Sequence, residues 1–344
     1  MALNKKCPEI REAGEEESGQ LRRLFKTLED CPGFIRVGPA GYLFSVKFEP
    51  EIENIYNIEV RPTDTFIVTF PRSGTTWTQE IVWLLLNDLD YAKAASLHIV
   101  ERFVNIGTSI WGLASRKTQT YKEIEMNKED RRKFEKVIVP GCELLAAATD
   151  PRFIKSHLPL SMLPPNLIET AKVVYVGRDP RDLVVSLYHF SRLISVPLYT
   201  GDFKTFWNMY MNDNVVRAPH LSHVKEAWDL RNHPNMLFLF YEELKQDLPG
   251  TIKRIAIFFN KTYTGEQISG LCKHVHIDNF RNNDSVNVNF LSKVDGLIPG
   301  EEPFIRKGKV GGWRDYFDEE MTKECERWMA KKVEETGIQF PTYP

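Results

Sequence analysis

The residues with the most chemical potential in this chain sit in short clusters. The first is Pro71-Arg72-Ser73-Gly74-Thr75-Thr76-Trp77. Arg72 brings a permanent cation, Gly74 lets a ligand approach the backbone closely, and the hydroxyls of Ser73, Thr75 and Thr76 add donors. Where such a turn opens a helix, its N–H groups and the helix dipole form an anion cradle. The plainer reading is a tight turn with a helix cap. The segment lacks the Gly-Lys-[Ser/Thr] core of a Walker loop, and with it the lysine that NTP hydrolases set on the γ-phosphate.

The second cluster is Lys155-Ser156-His157-Leu158-Pro159. Lone histidines are mostly structural, but Lys155 and His157 are two apart and share a face on an extended segment. A base beside a cation suits removal of a hydroxyl proton while a leaving anion is stabilised. The third is Gly177-Arg178-Asp179-Pro180-Arg181-Asp182, with Ser186 further on. Asp179 or Asp182 can serve a helix N-terminus, whereas Arg178, ahead of the cap, cannot, so it points to an anion partner. The fourth holds Arg306, Lys307, Gly308 and Lys309 ahead of Gly311-Gly312-Trp313-Arg314. It is either a loop wrapping a polyanion or a solvated basic loop. Trp77 and Phe280 could stack on a flat base; taken singly, both read as core.

These clusters need elements to carry them. Residues 65–70 form a short β-rich run bounded by Pro62 and Pro71, which reads as a buried strand. Apolar residues at helical spacing over 76–88 follow. Further strands are expected at 152–155, 172–176 and 236–240, with helices through Ser186 and over 248–259. Alternating strands and helices imply an α/β fold, a single domain with a central parallel sheet and helices on both faces. In such sheets ligands bind at the carboxyl ends of the strands, so Arg72, His157, Arg178 and Tyr241 should converge on one edge. Residues 1–40 read as an N-terminal extension, a frayed tail or a short amphipathic helix over 1–30. Residues 41–344 form the main domain, with a hairpin or edge strand near 41–48 and a polar, partly helical surface insertion at about 101–140.

Net charge is −2, so no global basic field favours nucleic acid or an anionic membrane, and any anion site must be built locally. The cysteines are scattered, without a CxxC pair or His/Cys cluster, and no carboxylate cluster suggests a metal. The first residues lack an apolar signal region, and no apolar run is long enough to span a bilayer. The expectation is a reduced, cytoplasmic, soluble protein.

Together the four clusters resemble, in order and approximate spacing, those of the cytosolic sulfotransferases. Phe70 to Trp77 is similar to their 5′-phosphosulfate loop, Lys155 to Pro159 to their catalytic-base segment, Tyr175 to Ser186 to their 3′-phosphate strand and helix, and Arg306 to Arg314 to their RKGxxGxW segment. The resemblance implies a P-loop-like sulfotransferase fold. It implies 3′-phosphoadenylyl sulfate as donor, adenosine 3′,5′-bisphosphate (PAP) as product, and a small apolar alcohol or phenol as acceptor. By it, His157 is the base, and Lys155 and Arg72 stabilise the transferring group. Arg72, Ser73, Gly74, Thr75, Thr76 and Trp77 hold the 5′ end of the donor. Arg178, Ser186, Arg306, Lys307 and Gly308 bind the 3′-phosphate. Trp77 and Phe280 flank adenine, and Tyr241 contacts the nucleotide.

The chain departs from the usual pattern in having Arg72 in place of lysine and a longer insertion. The family's C-terminal dimerisation segment is not evident, with Asp318-Glu319-Glu320 near its place, so a homodimer by that route lacks its usual segment. These features are similar to the retinol dehydratase branch, in which an allylic alcohol is sulfonated and the sulfate then eliminated. The alternative is a nucleotide kinase-like P-loop phosphotransferase. Phe103, Trp111, Phe190, Tyr199, Phe203 and Trp207 could line an acceptor pocket, though each alone reads as core.

Overall fold

The computed structural model describes residues 7–26, 31–107 and 126–342. Strands β1 (Ile10–Glu12), β2 (Phe34–Val37) and β3 (Tyr42–Ser45) form an antiparallel sheet. β4 (Thr65–Thr69), β5 (Val104–Asn105), β6 (Phe153–Ser156), β7 (Lys172–Gly177) and β8 (Met236–Phe240) form the central sheet. Its order is β5-β6-β4-β7-β8, and every neighbouring pair is parallel. The expected α/β architecture is therefore present.

The strands divide their side chains by the two-residue period of an extended chain. Phe66, Val68, Val173, Tyr175, Phe238 and Phe240 enter one core, with Ile52, Ile55, Leu221 and Val224 from covering helices. Ile67, Val174, Val176 and Leu239 enter the opposite core, against Ile81, Leu84 and Leu85 of the helix Thr75–Leu86 and Ile252 and Ile255 of Leu248–Phe258. Burying an aliphatic side chain of this kind contributes about 1.5–3 kcal/mol. Apolar cover on both faces is why these strands read as continuous hydrophobic runs.

A third cluster lies against the helix Pro180–Leu193 and joins it to Phe203–Met211, Glu319–Thr336 and the N-terminal helix Glu15–Leu24. Leu21 and Phe25 are buried there. Position 40, where the extension was expected to end, falls in the turn between β2 and β3, which pair Phe34 with Ser45 and Val37 with Tyr42.

The 101–140 segment begins inside the fold. β5 supplies the sheet edge beside β6, and Arg102 forms a fully buried ion pair of 2.7 Å with Glu80 of the helix Thr75–Leu86. His274 Nε2 lies 2.8 Å from the other Glu80 oxygen. The expected helical part is Lys128–Ile138, with Phe134 and Ile138 packed against Leu291 and Val294. The helix Tyr241–Gln246 was not anticipated: its Glu243 accepts from the Phe240 N–H, so a helix starts directly on the strand end. Among the described residues no helix is long and apolar enough to cross a membrane.

Candidate active site

Parallel strands deliver their carboxyl ends to one edge, and a cavity of about 580 Å³ opens there. Arg72, Gly74, Thr75, Thr76 and Trp77 line it after β4, Lys155 and His157 at the end of β6, Arg178 and Ser186 after β7, and Tyr241 after β8. Phe280, Arg306, Lys307 and Gly308 line it from the C-terminal third of the chain. The sequence-derived site residues are thus brought together, except that Ser73 stands fully buried behind the wall.

The turn after β4 is tightly specified. Arg72 has φ 72° and Gly74 has φ 95°. A Cβ on Gly74 would lie 2.7 Å from Cδ2 of Tyr241, so only glycine lets this ring close over the turn. Arg178 stacks on the same ring at 4.3 Å and donates from Nη1 to the Arg72 carbonyl at 2.7 Å. Trp77 meets Tyr241 edge-on at 5.7 Å and donates its indole N–H to the Val275 carbonyl. That bond joins the turn to the segment bearing Ile277 and Phe280.

The Arg72 guanidinium is held by two other segments of the chain. Nε donates to Ser186 Oγ at 3.1 Å, Nη2 donates to the Phe304 carbonyl at 2.7 Å, and the group lies between the rings of Phe190 and Phe304. Burial, then the neighbouring Arg178 and Arg306, push its pKa down to about 9. Among the described residues the hydrogen bonds found for these three arginines go to hydroxyl and carbonyl oxygens, and the buried Glu242 is the carboxylate that interacts with Arg178. Ser73 Oγ and Arg178 Nε, both buried, find no hydrogen-bond partner among the described residues. A bound polyanion would satisfy both atoms, and phosphate oxygens accept in just this way.

His157 has a defined tautomer. Its Nδ1 is 2.9 Å from the Thr69 carbonyl, which can only accept, so the neutral ring carries its proton on Nδ1 and keeps the Nε2 lone pair. Thr69 Oγ1 is 3.2 Å from the same nitrogen and 2.7 Å from Thr75 Oγ1. The Thr75 hydroxyl, expected to face an anion, is thus also tied back toward the histidine. Burial, then Lys155 and Arg217, hold the His157 pKa well below 6.5. Lys155 is pushed down to about 8 by burial, then by Arg217 and Arg72.

Other features of the site were not read from the sequence. Thr69 looked like an ordinary strand residue; its position at the carboxyl end of β4 was the available signal. Arg217 lines the cavity, is 8% exposed, and has φ 76° with its N–H bonded to the Leu43 carbonyl. It is separated in sequence from every cluster. Asp179 caps its helix by accepting from Arg181 N–H. Asp182, expected to share that duty, instead accepts from Gly311 N–H at 2.6 Å and Trp313 N–H at 3.0 Å, and so pins the glycine-rich segment that follows Gly308.

Apolar side chains also line the cavity, among them Phe25, Leu187, Ile194, Val196, Pro197, Phe206 and Val215, with Val137, Phe290 and Leu291. Of the aromatics considered from the sequence, Phe190 lines it. Phe103, Tyr199 and Trp207 are core, Phe203 is half-buried in the packing around Tyr188, Tyr316 and Phe317, and Trp111 lies outside the described residues.

Fold and site define an α/β protein with a cationic, glycine-lined cleft continuous with an apolar compartment, and a neutral histidine among the lining residues. A sulfotransferase domain matches residues 62–337, most of the chain, and the protein belongs to the sulfotransferase family. It is 30% identical to the luciferin sulfotransferase of Photinus pyralis over 99% of this chain and 90% of that protein. It is 31% identical to sulfotransferase 1B1 of Mus musculus over 88% and 93%. Its structure is similar to retinol dehydratase solved with androsterone and the inactive cofactor PAP, with TM-score 0.87 and 41% identity over 97% of this chain and 98% of that one. A retinol dehydratase structure with retinol and PAP gives TM-score 0.86 and 42% identity over 97% and 99%.

Proposed function

We propose that this protein transfers a sulfuryl group from 3′-phosphoadenylyl sulfate to the hydroxyl of a small apolar alcohol or phenol. The observation that carries this is the position of His157, fixed as the Nδ1–H tautomer by Thr69, lining one cavity together with the cationic cleft and the apolar wall. The similar retinol dehydratases, solved with PAP beside androsterone or retinol, support the donor and the kind of acceptor.

The donor supplies the sulfuryl group and a 5′-phosphate leaving group. His157 Nε2 takes the acceptor proton as the hydroxyl oxygen bonds to sulfur and the sulfur–phosphate oxygen bond breaks in line. Lys155 and the N–H groups after Gly74 stabilise charge on the sulfuryl oxygens and the departing phosphate. Arg72, held by Ser186 and the Phe304 carbonyl, adds charge from the side of the 306–308 loop. Arg178, Ser186, Arg306, Lys307 and Gly308 hold the 3′-phosphate, while Trp77 and Phe280 flank the base. With an allylic alcohol, the ester can lose sulfate and a carbon-bound proton to give a dehydrated product. The resemblance to retinol dehydratase supports that second step.

A screen of alcohols and phenols with labelled donor tests the reading, with mass detection of both the ester and the dehydrated product. Acceptor-dependent formation of PAP is expected. Consumption of ATP in place of the sulfated donor, or tighter binding of ATP than of PAP, would overturn it in favour of a kinase.

A further inference from the structure

We propose that the N-terminal segment sets acceptor selectivity, with Phe25 forming part of the wall against which the acceptor's apolar body packs. This rests on reading the apolar compartment as the acceptor site. Phe25 lies outside residues 62–337, which match the sulfotransferase domain, yet its side chain lines the same cavity as His157.

The sequence of the segment explains how the ring is held there. Glu15, Glu16 and Glu17 occupy the first turn of the helix Glu15–Leu24 and Arg22 and Arg23 the last, matching its dipole. Leu21 is buried against the body. Arg36 clamps the helix to the hairpin, bonding Glu17 at 2.9 Å, the Gly41 carbonyl and the Asp213 carbonyl. Asn214 donates to Gln20 at 2.5 Å.

The helix ends at Phe25, whose backbone turns extended (φ −120°, ψ 100°) and forms an antiparallel bridge with Tyr199. Lys26 N–H donates to the Leu198 carbonyl and Thr200 N–H to the Leu24 carbonyl, so both neighbours of Phe25 are tied down. The ring is 4% exposed, stands 5.1 Å from the ring of Tyr199, and shares its cluster with Leu187 and Phe206. Val196 and Pro197, just before the bridged residues, line the cavity as well. A rigidly bridged aromatic on an apolar wall, without a polar atom to offer, discriminates by shape. It should exclude acceptors whose bulk reaches its position and favour those that pack against it.

The test uses the full chain as wild type, Phe25→Ala and Phe25→Leu, with para-alkylphenols of increasing chain length as acceptors. Truncation opens room, so the ratio of kcat/KM for long over short acceptors should rise by about tenfold or more in Phe25→Ala. Phe25→Leu should fall between. PAP affinity and melting temperature are measured in parallel to identify a variant that has lost its fold. A uniform fall for every acceptor, or an unchanged ratio in folded variants, overturns the proposal. If the wild type sulfonates none of the phenols, the phenol part of the proposed acceptor range has failed instead. The same ratio is then taken from the phenols' dissociation constants, where an unchanged value in Phe25→Ala again overturns the role of Phe25.

Discussion

His157 Nδ1 and the carbonyl oxygen of Thr69 stand 2.9 Å apart, joining the end of β6 to the end of β4. This bond selects the tautomer in which Nε2 can accept a proton, and the Thr69 hydroxyl, 3.2 Å from the same nitrogen, braces the ring. Replacing His157 with Ala should therefore lower kcat by at least about 100-fold. PAP binding, measured by calorimetry, should be little changed. Turnover equal to wild type would remove His157 from the role of base.

The pH profile follows from the charges around that ring. The His157 pKa lies well below 6.5, so the imidazole stays neutral and the acid limb of kcat/KM should lie below that value. Arg217→Gln removes a cation that disfavours the protonated ring, so the acid limb should move to higher pH. Lys155, with its pKa near 8, loses its proton as pH rises through that value. The free enzyme should show an alkaline limb there. A bound polyanionic donor favours the charged amine and should shift the limb upward in kcat. Lys155→Arg should move that limb to higher pH, because a guanidinium holds its proton more strongly than an amine in the same surroundings.

Arg178 touches both Tyr241 and the Arg72 carbonyl, and its Nε has no hydrogen-bond partner among the described residues. Losing a charge-assisted contact to phosphate typically removes about 1.5–3 kcal/mol. Arg178→Ala should raise the PAP dissociation constant by about 10- to 100-fold, read by titration. An unchanged constant would take Arg178 out of the donor site.

Gly74→Ala should weaken both the fold and donor binding, since φ 95° is strained for any side chain and the new methyl would meet Tyr241 at 2.7 Å. The backbone part alone costs roughly 1–2 kcal/mol. Adding Tyr241→Ala to Gly74→Ala should relieve the steric part but not the backbone part, so the double variant should melt higher than the two separate losses predict. Strict additivity of the losses would show that the ring does not press on the turn.

Asp182 stands outside the cavity lining and holds Gly311 and Trp313 by their N–H groups. Asp182→Asn keeps the shape and leaves one carbonyl oxygen to serve both donors. Hydrogen exchange at Gly311 and Trp313 should accelerate, and PAP affinity should fall by about tenfold. Protection as in the wild type would show that the segment is held by other contacts.

Much of this was legible in the chain. The β4, β7 and β8 runs are apolar because both sheet faces are covered, and the turn and helix after β4 carry their own punctuation in Pro71 and Gly74. Lys155 and His157 follow from the two-residue period of a strand. Among the elements not anticipated, β1, β2 and β5 are short and the helix Tyr241–Gln246 begins where a strand ends, so periodicity has no room to register there. Thr69 and Asp182 belong to the site through a backbone carbonyl and a carboxylate whose partners lie far along the chain.

The sequence by itself determined the parallel α/β frame and the kind of chemistry at its edge, because strand, turn and helix signals are local and parallel strands must bring their carboxyl ends together. Only the tertiary structure decided which nitrogen of His157 holds the proton, and that Arg72 reaches toward Ser186. It also assembled the apolar part of the cavity wall from Phe25, Pro197, Phe206 and Phe290. Those choices are made by packing between segments remote in sequence, and such contacts leave no periodic trace in the chain.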